Sequence, residues 1–463
     1  MNRTSVAVIG GGVAGLATAH RLLSGGVRDV VVLEADDVAG GKIRSAHVGG
    51  LPLEAGPDSL LARKPWGVEL CRELGLGEDL VAPAPSATHV YTDRGLLRFP
   101  SGPFGIATDP KELWRWPGMS TRGKVRAAQD LFRKARADGG DESLGSLLRR
   151  RIGDEATEAL VAPLLGGLFA GDVDRLSVRA TFPELAVWER EHGSLFRGAR
   201  AATKRAGSRP VPPMFLRLRG GLRRLVDELV AAIGPERIRL SSPVDRVERD
   251  GSRFRVRTPD GGSVTADAVV FAAPSFVTAT QLENLAPQAV EHLQAIPYVS
   301  TAVVLLVYPE GTAERLPESS GFVSPRGRLA MSAATFVSRK WPEPAFGRRA
   351  VVRCFVGATG TEDLVDESDG DIVDGVSHQL AALVELPGHP EHAMVVRWPR
   401  AMPQYEVGHL DRVAAIEAAL PAGAFVTGQA YRGAGIPDCV RQAGAIADGV
   451  RAHLAGRSPL DAS

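Results

Sequence analysis

The stretch over residues 5–15, SVAVIGGGVAG, constrains the fold of this chain more than any other. A short β-branched run is followed by Gly10, Gly12 and Gly15 at the spacing G-x-G-x-x-G, and a helix-forming segment over residues 14–23 comes next. In such a strand–turn–helix unit the first glycine makes the tight turn, the second lets backbone amides approach a pyrophosphate, and the third lets helix and strand pack closely. The stretch therefore predicts an α/β domain that binds a dinucleotide at a helix N-terminus.

Of two features just beyond this unit, the first supports dinucleotide binding and the second favours FAD over NAD. A second strand over residues 30–33 ends at Glu34, whose carboxylate can accept the hydroxyls of a ribose. The segment AGGK over residues 39–42 follows, and a glycine pair beside a cation suits a second turn that faces phosphate. Flavoproteins with two dinucleotide-binding domains usually have such a turn just past the acidic residue. A solvated surface turn is the alternative for residues 39–42.

Composition excludes several other classes of protein. A chain of 463 residues predicts two to three domains, and 44% hydrophobic and 24% charged residues are globular values. A net charge of +1 indicates no nucleic-acid partner and no strong attraction to a membrane surface. The longest other apolar run, over residues 160–170, is far shorter than the ~20 residues that span a bilayer. Three widely separated cysteines predict reduced thiols. We therefore expect a cytoplasmic protein with at most weak peripheral contact with a membrane.

Hydrophobic patterning divides the chain into three predicted domains. Residues 1–65, 214–296 and 400–463 are expected to form a discontinuous cofactor domain. Residues 66–213 are expected to be mainly helical, with helices over 66–74, 111–137, 143–151, 154–165 and 183–200, a turn over 166–181, and a basic loop over 201–213 that is rich in Pro, Gly and Ser. Residues 297–399 are expected to form an antiparallel sheet that covers the cofactor, with strands over 301–307, 321–323, 329–333, 350–356 and 393–398 and one helix over 371–386.

Three further segments are candidates for contact with the cofactor. The rigid polar turn of Gly56, Pro57, Asp58 and Ser59 is predicted to run along the ring system. Val244 is predicted to pack on the adenine. A glycine-rich turn and a helix predicted over residues 440–454 come at the end of the chain, and the amides at such a helix N-terminus can stabilise negative charge on a reduced flavin. Arg63 and Lys64 follow the first turn directly, which makes them candidates for binding an anionic substrate, although helix-capping charge is the alternative.

The sequence contains no second dinucleotide fingerprint, no P-loop and no metal or nucleophile motif. The flavin itself is therefore expected to carry the hydride, with no catalytic side chain, and oxygen or another acceptor must reoxidise it. His409 is expected to be structural rather than a catalytic base. The run Arg149, Arg150 and Arg151 is expected to be a solvated helix end.

Five remote stretches resemble the oxygen-dependent porphyrinogen oxidases of haem synthesis: GLFAGDVDRLSVRATFPEL (167–185), EHGSLFRGAR (191–200), SRKWP (338–342), RWPRAMPQYEVGHLDRV (397–413) and GAGIPDC (433–439). The resemblance extends over nearly the whole chain. Amine oxidases and phytoene desaturases share the dinucleotide fingerprint but not these stretches. The resemblance implies a Rossmann-like, amine-oxidase-like FAD fold of the α/β class, with a mixed-sheet substrate domain and a helical domain.

SRKWP, MPQYEVGH and GIPDC are most similar to the Gram-positive branch of this family. That branch implies oxidation of coproporphyrinogen III to coproporphyrin III, in which six electrons pass to molecular oxygen and yield hydrogen peroxide. Oxidation of protoporphyrinogen IX, another FAD amine oxidase or desaturase activity, and a flavin-binding protein without catalysis remain the alternatives. Contact with other enzymes of haem synthesis is a further expectation.

The resemblance also implies which residues bind FAD. For Ala35 and Trp398 it is the sole basis of that prediction. The implied FAD contacts are Gly10, Gly11, Gly12, Val13, Ala14, Gly15, Glu34, Ala35, Gly41, Lys42, Gly56, Pro57, Asp58, Ser59, Val244, Trp398, Ile436, Pro437 and Asp438. Because coproporphyrinogen has four propionates and protoporphyrinogen has two, a site for the former needs more cationic groups. The candidates are Arg63, Lys64, Arg98 and Arg179, and a surface charge is the alternative for each.

Overall fold

The first strand lies at the centre of a mixed sheet, whose central strands are parallel. The computed structural model describes residues 2–136, 139–206 and 213–456. Within them, the strands of this sheet lie in the spatial order Ile238–Arg239, Val30–Leu33, Asn2–Ile9, Ser263–Phe271, Arg253–Arg257 and Arg246–Asp250, and Ala424–Val426 also pairs with Ser263–Phe271. Val6 and Val8 pack against one layer of helices and Ala7 and Ile9 against the other. Burial on both faces explains the continuous β-branched run in the sequence.

Helices cover both faces of this sheet. Val13–Ser24, Trp66–Glu73, Arg223–Ile233 and Ile436–Ala455 share one core. Ser275–Leu282, Pro287–Gln294 and His409–Ala419 share the other. The carboxyl ends of the central parallel strands therefore meet at one open edge, which is where doubly wound α/β folds bind ligands.

A second sheet has seven strands among the described residues. Its strands have the order His392–Pro403, Tyr298–Val307, Val351–Val356, Met331–Phe336, Ser319–Val323, Ala87–Thr92 and Gly95–Arg98. Helix Asp369–Val384 packs on one face, and the other face packs on the hairpin Ser45–Val48 and Leu51–Glu54. A small third sheet pairs Phe215–Leu218 with Leu60–Leu61 and Leu80–Val81. The pairs among residues 297–403 are antiparallel, whereas Ser319–Val323 pairs in parallel with Ala87–Thr92, so the sheet is mixed.

The two strands at the edge of the second sheet lie in a range that was expected to be helical. Ala87–Thr92 and Gly95–Arg98 form a hairpin, and Val90 is fully buried against the helical core. Most of the other hairpin residues are half-buried or exposed, so the segment lacks the strong alternation that identifies a strand. We propose to assign residues 87–98 to the sheet domain rather than to the helical domain.

The helical part of the chain is more divided than the sequence predicted. Its described helices are Pro110–Arg115, Thr121–Ala128, Leu144–Ile152, Asp154–Ala156, Ala162–Phe169, Val178–Thr181, Pro183–His192 and Leu195–Ala206, with a π-turn at Thr157–Val161. Trp116, Pro117 and Gly118 divide the helix expected over 111–137, and Gly193, with φ +65°, divides the one expected over 183–200. The turn expected over 166–181 begins as helix, and so does the loop expected over 201–213. Residues 207–212 of that loop lie outside the described residues.

The expectation of a solvated arginine run is wrong for Arg151. Its side chain is fully buried, its Nε donates to Oδ1 of Asp130 at 2.5 Å, and its Nη2 donates to the carbonyl of Gly193 at 2.6 Å. Arg149 and Arg150 are partly exposed; Arg149 pairs with the exposed Glu158, and Arg150 pairs with the largely buried Glu142. The buried acid that holds Arg151 is distant in sequence, so the local run could not reveal it.

Cys71, Cys354 and Cys439 are buried and free of disulfides. Among the residues that the structure describes, no helix is both long and apolar enough to cross a membrane.

Candidate cofactor and substrate site

The glycine turn after the first strand leaves a backbone-lined space at a helix N-terminus. Gly10 has φ +111°, which favours glycine. A Cβ at Gly15 would lie 1.9 Å from the carbonyl oxygen of Gly10, so the helix packs directly on the strand end. A Cβ at Gly12 would meet nothing within 4 Å. Gly12 is the N-cap of helix Val13–Ser24 and provides no side-chain cap, so the first amides of that helix face this space.

Glu34 closes one side of the turn. It is buried, and its Oε2 accepts the amide of Gly11 at 2.5 Å while its Oε1 accepts the amide of Asp36 at 2.9 Å. A carboxylate has about four acceptor positions, so two remain for ribose hydroxyls. The neighbouring Ala35 is exposed.

Lys42 lies on the second turn, which contacts the first. The amide of Gly40 donates to the carbonyl of Gly11 at 2.8 Å, so the two glycine turns are adjacent. The Nζ of Lys42 donates to the carbonyl of Ala401 at 2.7 Å, and burial lowers the pKa of this ammonium to about 8. A cation held at this point can face a phosphate, as the G-G-K pattern predicts.

An open groove of about 990 Å³ beside Val244 contains polar atoms without partners. It is lined by Val244, Asp245, Phe276, Gln281 and Arg400, among others. Oδ1 of Asp245 and Oε1 of Gln281 are buried and unpaired among the described residues, and such atoms normally require a partner. The guanidinium of Arg400 lies 3.4 Å from the ring centroid of Phe276. Only Val244 was predicted, because nothing in the spacing of the other four marks them as neighbours.

The groove and the glycine turn together fit a dinucleotide. Backbone amides face open space at a helix N-terminus, a carboxylate with free acceptor positions lies beside them, and a polar groove with unpaired oxygens lies nearby. This set of donors and acceptors suits a pyrophosphate, a ribose and a heterocyclic base.

The turn of residues 56–59 lies between the second glycine turn and the second sheet. A Cβ at Gly56 would lie 1.7 Å from the carbonyl oxygen of Lys42, and the indole of Trp398 donates to the carbonyl of Ala55 at 2.9 Å. Ser59 donates to Oδ1 of Asp58 at 2.7 Å. Pro57, Asp58 and Ser59 are partly exposed. The predicted candidates Gly56 and Trp398 are thus brought together from positions more than 300 residues apart.

The C-terminal glycine turn is linked to this region by an ion pair. Helix Ile436–Ala455 begins four residues earlier than predicted, and its N-cap, Gly435, provides no side-chain cap. Nζ of Lys64 lies 2.7 and 2.8 Å from the two carboxylate oxygens of Asp438. Lys64 was predicted to bind substrate and Asp438 to bind the cofactor, and the structure places them in contact. Ile436 and Pro437 are buried beside Asp438.

His409 has the environment of a structural residue. Its ring stacks on Tyr405 with centroids 4.0 Å apart, and its Nε2 lies 2.8 Å from the carbonyl oxygen of Tyr431. Burial lowers the pKa of His409 to about 4, so the ring is neutral near pH 7. The hydroxyl of Tyr405 donates to the carbonyl of Gln429 at 2.5 Å and accepts the amide of Gly433 at 3.0 Å, which fixes the start of the C-terminal turn.

The other three predicted substrate residues are exposed. Arg63 lies over the ring of Phe104, with Cζ 5.5 Å from its centroid, and Phe104 contacts Phe182 at 5.7 Å. Arg179 lies on the short helix that precedes Phe182, and Arg98 ends the edge strand of the second sheet. The structure thus brings Arg63 and the element bearing Arg179 to one aromatic cluster, and leaves Arg98 on the adjoining sheet.

A cleft of about 480 Å³ separates the helical part from the second sheet. Small residues line both walls, including Gly166, Gly167 and Ala170 on one side and Gly357 and Ala358 on the other. Arg326 lies at the cleft and pairs with Asp172 at 2.7 Å. Sequence reasoning missed Arg326, because nothing local distinguishes it from a surface charge.

Comparison with known proteins identifies relatives over nearly the whole chain. The model of the family described as flavin containing amine oxidoreductase matches residues 13–451. Coproporphyrinogen III oxidase of Bacillus subtilis is 34% identical over 97% of this chain and 98% of that protein. Coproporphyrinogen III oxidase of Staphylococcus aureus is 31% identical over 97% of this chain and 99% of that protein. A solved structure from Exiguobacterium sp. 255-15, provisionally named a protoporphyrinogen oxidase, is 31% identical and covers 98% of this chain and 99% of that chain with a TM-score of 0.86.

Proposed function

Because the chain belongs to the flavin-containing amine oxidoreductase family, we propose that it uses FAD to oxidise coproporphyrinogen III to coproporphyrin III with molecular oxygen. The balanced reaction consumes three O₂ and yields three H₂O₂ for the six electrons removed. The sequence predicted this family, an amine-oxidase-like fold and FAD as the cofactor. The family model and the solved structure confirm these predictions.

One observation carries the choice of substrate. The relatives that share 31–34% identity over nearly the full chain include several named coproporphyrinogen III oxidase. Similarity to a plant chloroplastic protoporphyrinogen oxidase, at 30% identity, supports protoporphyrinogen IX as the second candidate.

When bound, FAD takes up a hydride equivalent and is reoxidised by oxygen. The chain's own residues hold and orient it. We assign the pyrophosphate to the first amides of helix Val13–Ser24 with Lys42, the ribose to Glu34, and the adenine to the groove at Val244. We assign the ring system to the segments 56–59 and 436–438, because Lys64, shortly after the first segment, pairs with Asp438 of the second. No side-chain base is required, and His409 supports that proposal because its ring is fully buried and its pKa of about 4 makes it a poor proton acceptor.

The propionates of the substrate are assigned to exposed cations at the Phe104 cluster and on the adjoining sheet. Arg63, Arg98 and Arg179 have exposed side chains, which leaves them available to bind carboxylates. Replacing each by Met is expected to raise KM for coproporphyrinogen with little change in kcat. Arg190→Met is the matched control, since Arg190 is a highly exposed arginine of the same helical part. Equal KM values in all four variants would remove this assignment without affecting the proposed reaction.

Two further expectations from the sequence remain proposals. One is a cytoplasmic location with at most weak peripheral contact with a membrane. The other is contact with further enzymes of haem synthesis, which follows from the proposed reaction.

Anaerobic mixing of the FAD-loaded protein with coproporphyrinogen III tests the function. We expect loss of the visible flavin absorbance and return of that absorbance when oxygen is admitted. Absorbance that coproporphyrinogen leaves unchanged would refute the proposal, and bleaching by an amine or a polyene instead would identify another branch of the family.

A further inference from the structure

A buried ion cluster joins the 56–59 turn to the SRKWP stretch, whose role the proposed function does not explain. Oδ2 of Asp58 lies 3.3 Å from Nζ of Lys340, 3.2 Å from the indole nitrogen of Trp341 and 3.7 Å from Nη1 of Arg353. The side chain of Asp58 is 18% exposed and those of Lys340 and Arg353 are 14% and 5% exposed. These charges are therefore poorly screened by water.

Asp58 is ionised in this cluster. Burial alone would raise the pKa of its carboxyl, but Lys340 and Arg353 outweigh burial and hold that pKa well below its ordinary value. Arg353 also donates to the carbonyl of Gly56, so the same guanidinium fixes the backbone of the turn.

Asp58, Lys340 and Arg353 together have one more positive than negative charge. Glu54 also lies near this trio; it accepts the amide of Leu222 at 2.6 Å, and burial raises the pKa of its carboxyl. Arg217 is also close to both acids and pairs with Glu343. Two buried cations, Lys340 and Arg353, therefore face the carboxylate of Asp58.

The cluster borders the space assigned to the flavin. Gly56 is in contact with the Lys42 turn, which is adjacent to Gly12, and Ala55 accepts the indole of Trp398. Asp58 is two residues from Gly56, so charges held on Asp58 lie beside the cofactor rather than at the protein surface. At low effective dielectric, such charges act on a neighbouring ring system without direct contact.

We propose that Asp58, Lys340 and Arg353 together set the reduction potential of bound FAD, with their excess positive charge favouring the reduced cofactor. The inference rests on the proposed function in one respect, since it needs FAD at this site. Reduction adds negative charge to the ring system, and a net positive neighbourhood stabilises that charge. The three residues act on the cofactor through their field and through the position of the 56–59 turn.

Potentials of charge-changing variants test this proposal. Asp58→Asn removes one negative charge from the cluster, so we expect the midpoint potential to rise by about 30 mV, a tenfold change in the ratio of reduced to oxidised cofactor. Lys340→Gln removes a cation, and we expect a fall of similar size. The potentials are measured by anaerobic titration against redox dyes. A purely structural role for the cluster would not produce shifts of opposite sign.

Three matched variants serve as controls. Lys340→Arg keeps the charge and is expected to restore the wild-type potential. Trp341→Phe removes one donor to Asp58 without a change of charge, so its potential should stay near that of the wild type. Asp93→Asn makes the same chemical change at a side chain that is 80% exposed and paired with Arg328, and no shift is expected.

The proposal would be overturned if the potentials of Asp58→Asn and Lys340→Gln shifted with the same sign. It would also be overturned if, in both variants, the ratio of reduced to oxidised cofactor stayed within about threefold of the wild-type ratio. If Asp58→Asn does not fold, equal potentials in Lys340→Gln and Lys340→Arg would overturn it. A wild-type protein that binds no FAD would refute the proposed function instead, so the two failures are distinguishable.

Discussion

Two alanine substitutions in the first turn should affect different properties of the protein. Gly15→Ala should lower the stability of the fold, and Gly12→Ala should lower the affinity for FAD. A Cβ at Gly15 would lie 1.9 Å from the carbonyl oxygen of Gly10, and the two atoms would have to separate by about 1.1 Å to reach 3.0 Å. Both atoms belong to backbone at a helix–strand contact, so the whole helix must shift. Overpacking of this kind costs about 3 kcal/mol.

Gly12→Ala should leave the fold almost unchanged. Its φ of −71° and ψ of 175° suit any residue, and its Cβ would meet nothing within 4 Å. The methyl group would instead occupy the space assigned to the pyrophosphate. Loss of one charge-assisted hydrogen bond costs about 1.5–3 kcal/mol, so FAD affinity should fall about 10- to 150-fold.

The two effects separate in two assays on the same proteins. Urea unfolding of the FAD-free variants should show a lower midpoint for Gly15→Ala and a wild-type midpoint for Gly12→Ala. FAD titration, followed by flavin fluorescence, should show the weakened affinity of Gly12→Ala. A Gly12→Ala protein that binds FAD as tightly as the wild type would refute the placement of the phosphates, and a Gly15→Ala protein of wild-type stability would refute the packing argument.

Three further outcomes are expected. Because burial lowers the pKa of Lys42 to about 8, FAD affinity should fall by up to about tenfold per pH unit above that value, and Lys42→Met should abolish this dependence in FAD titrations. His409 has a folded pKa of about 4 against 6.5 for the free ring, so the unfolded state binds more protons between these values. Stability should therefore drop by about 1.4 kcal/mol per unit as pH falls from 6.5, and His409→Gln should lack that slope in urea unfolding. Arg151→Met, which leaves the buried carboxylate of Asp130 without its cation, should cost about 3–5 kcal/mol, whereas Arg149→Met at the surface should cost less than about 1 kcal/mol by the same method.

The parts of the fold that depend on local chemistry could be predicted. The first strand, its glycine turn and its helix are adjacent in sequence. The spacing of Gly10, Gly12 and Gly15 is therefore enough to predict almost all of the geometry of this unit. The main strands of the second sheet were also recognisable, because a buried strand such as Tyr298–Val307 has a continuous apolar run. Strands 87–98 were missed because their residues are mostly half-exposed and their pairing partner is more than 200 residues away.

The parts of the site that depend on distant contacts could not be predicted. The partners of Asp58 lie more than 280 residues further along the chain, and the sequence gives no sign that Lys340 and Arg353 meet it. The same holds for Arg400 and Gln281 in the groove beside Val244. Lys64 was recognisable as a cation beside the cofactor turn, but its pairing with Asp438 depends on how the C-terminal helix packs.

Side-by-side turnover of coproporphyrinogen III and protoporphyrinogen IX by the FAD-loaded protein tests the proposed function most directly. Porphyrin fluorescence and oxygen consumption are followed together at equal substrate concentrations. We predict faster formation of coproporphyrin III, with three O₂ consumed for each porphyrin formed. Faster oxidation of protoporphyrinogen IX, or formation of porphyrin without flavin-dependent oxygen uptake, would contradict it.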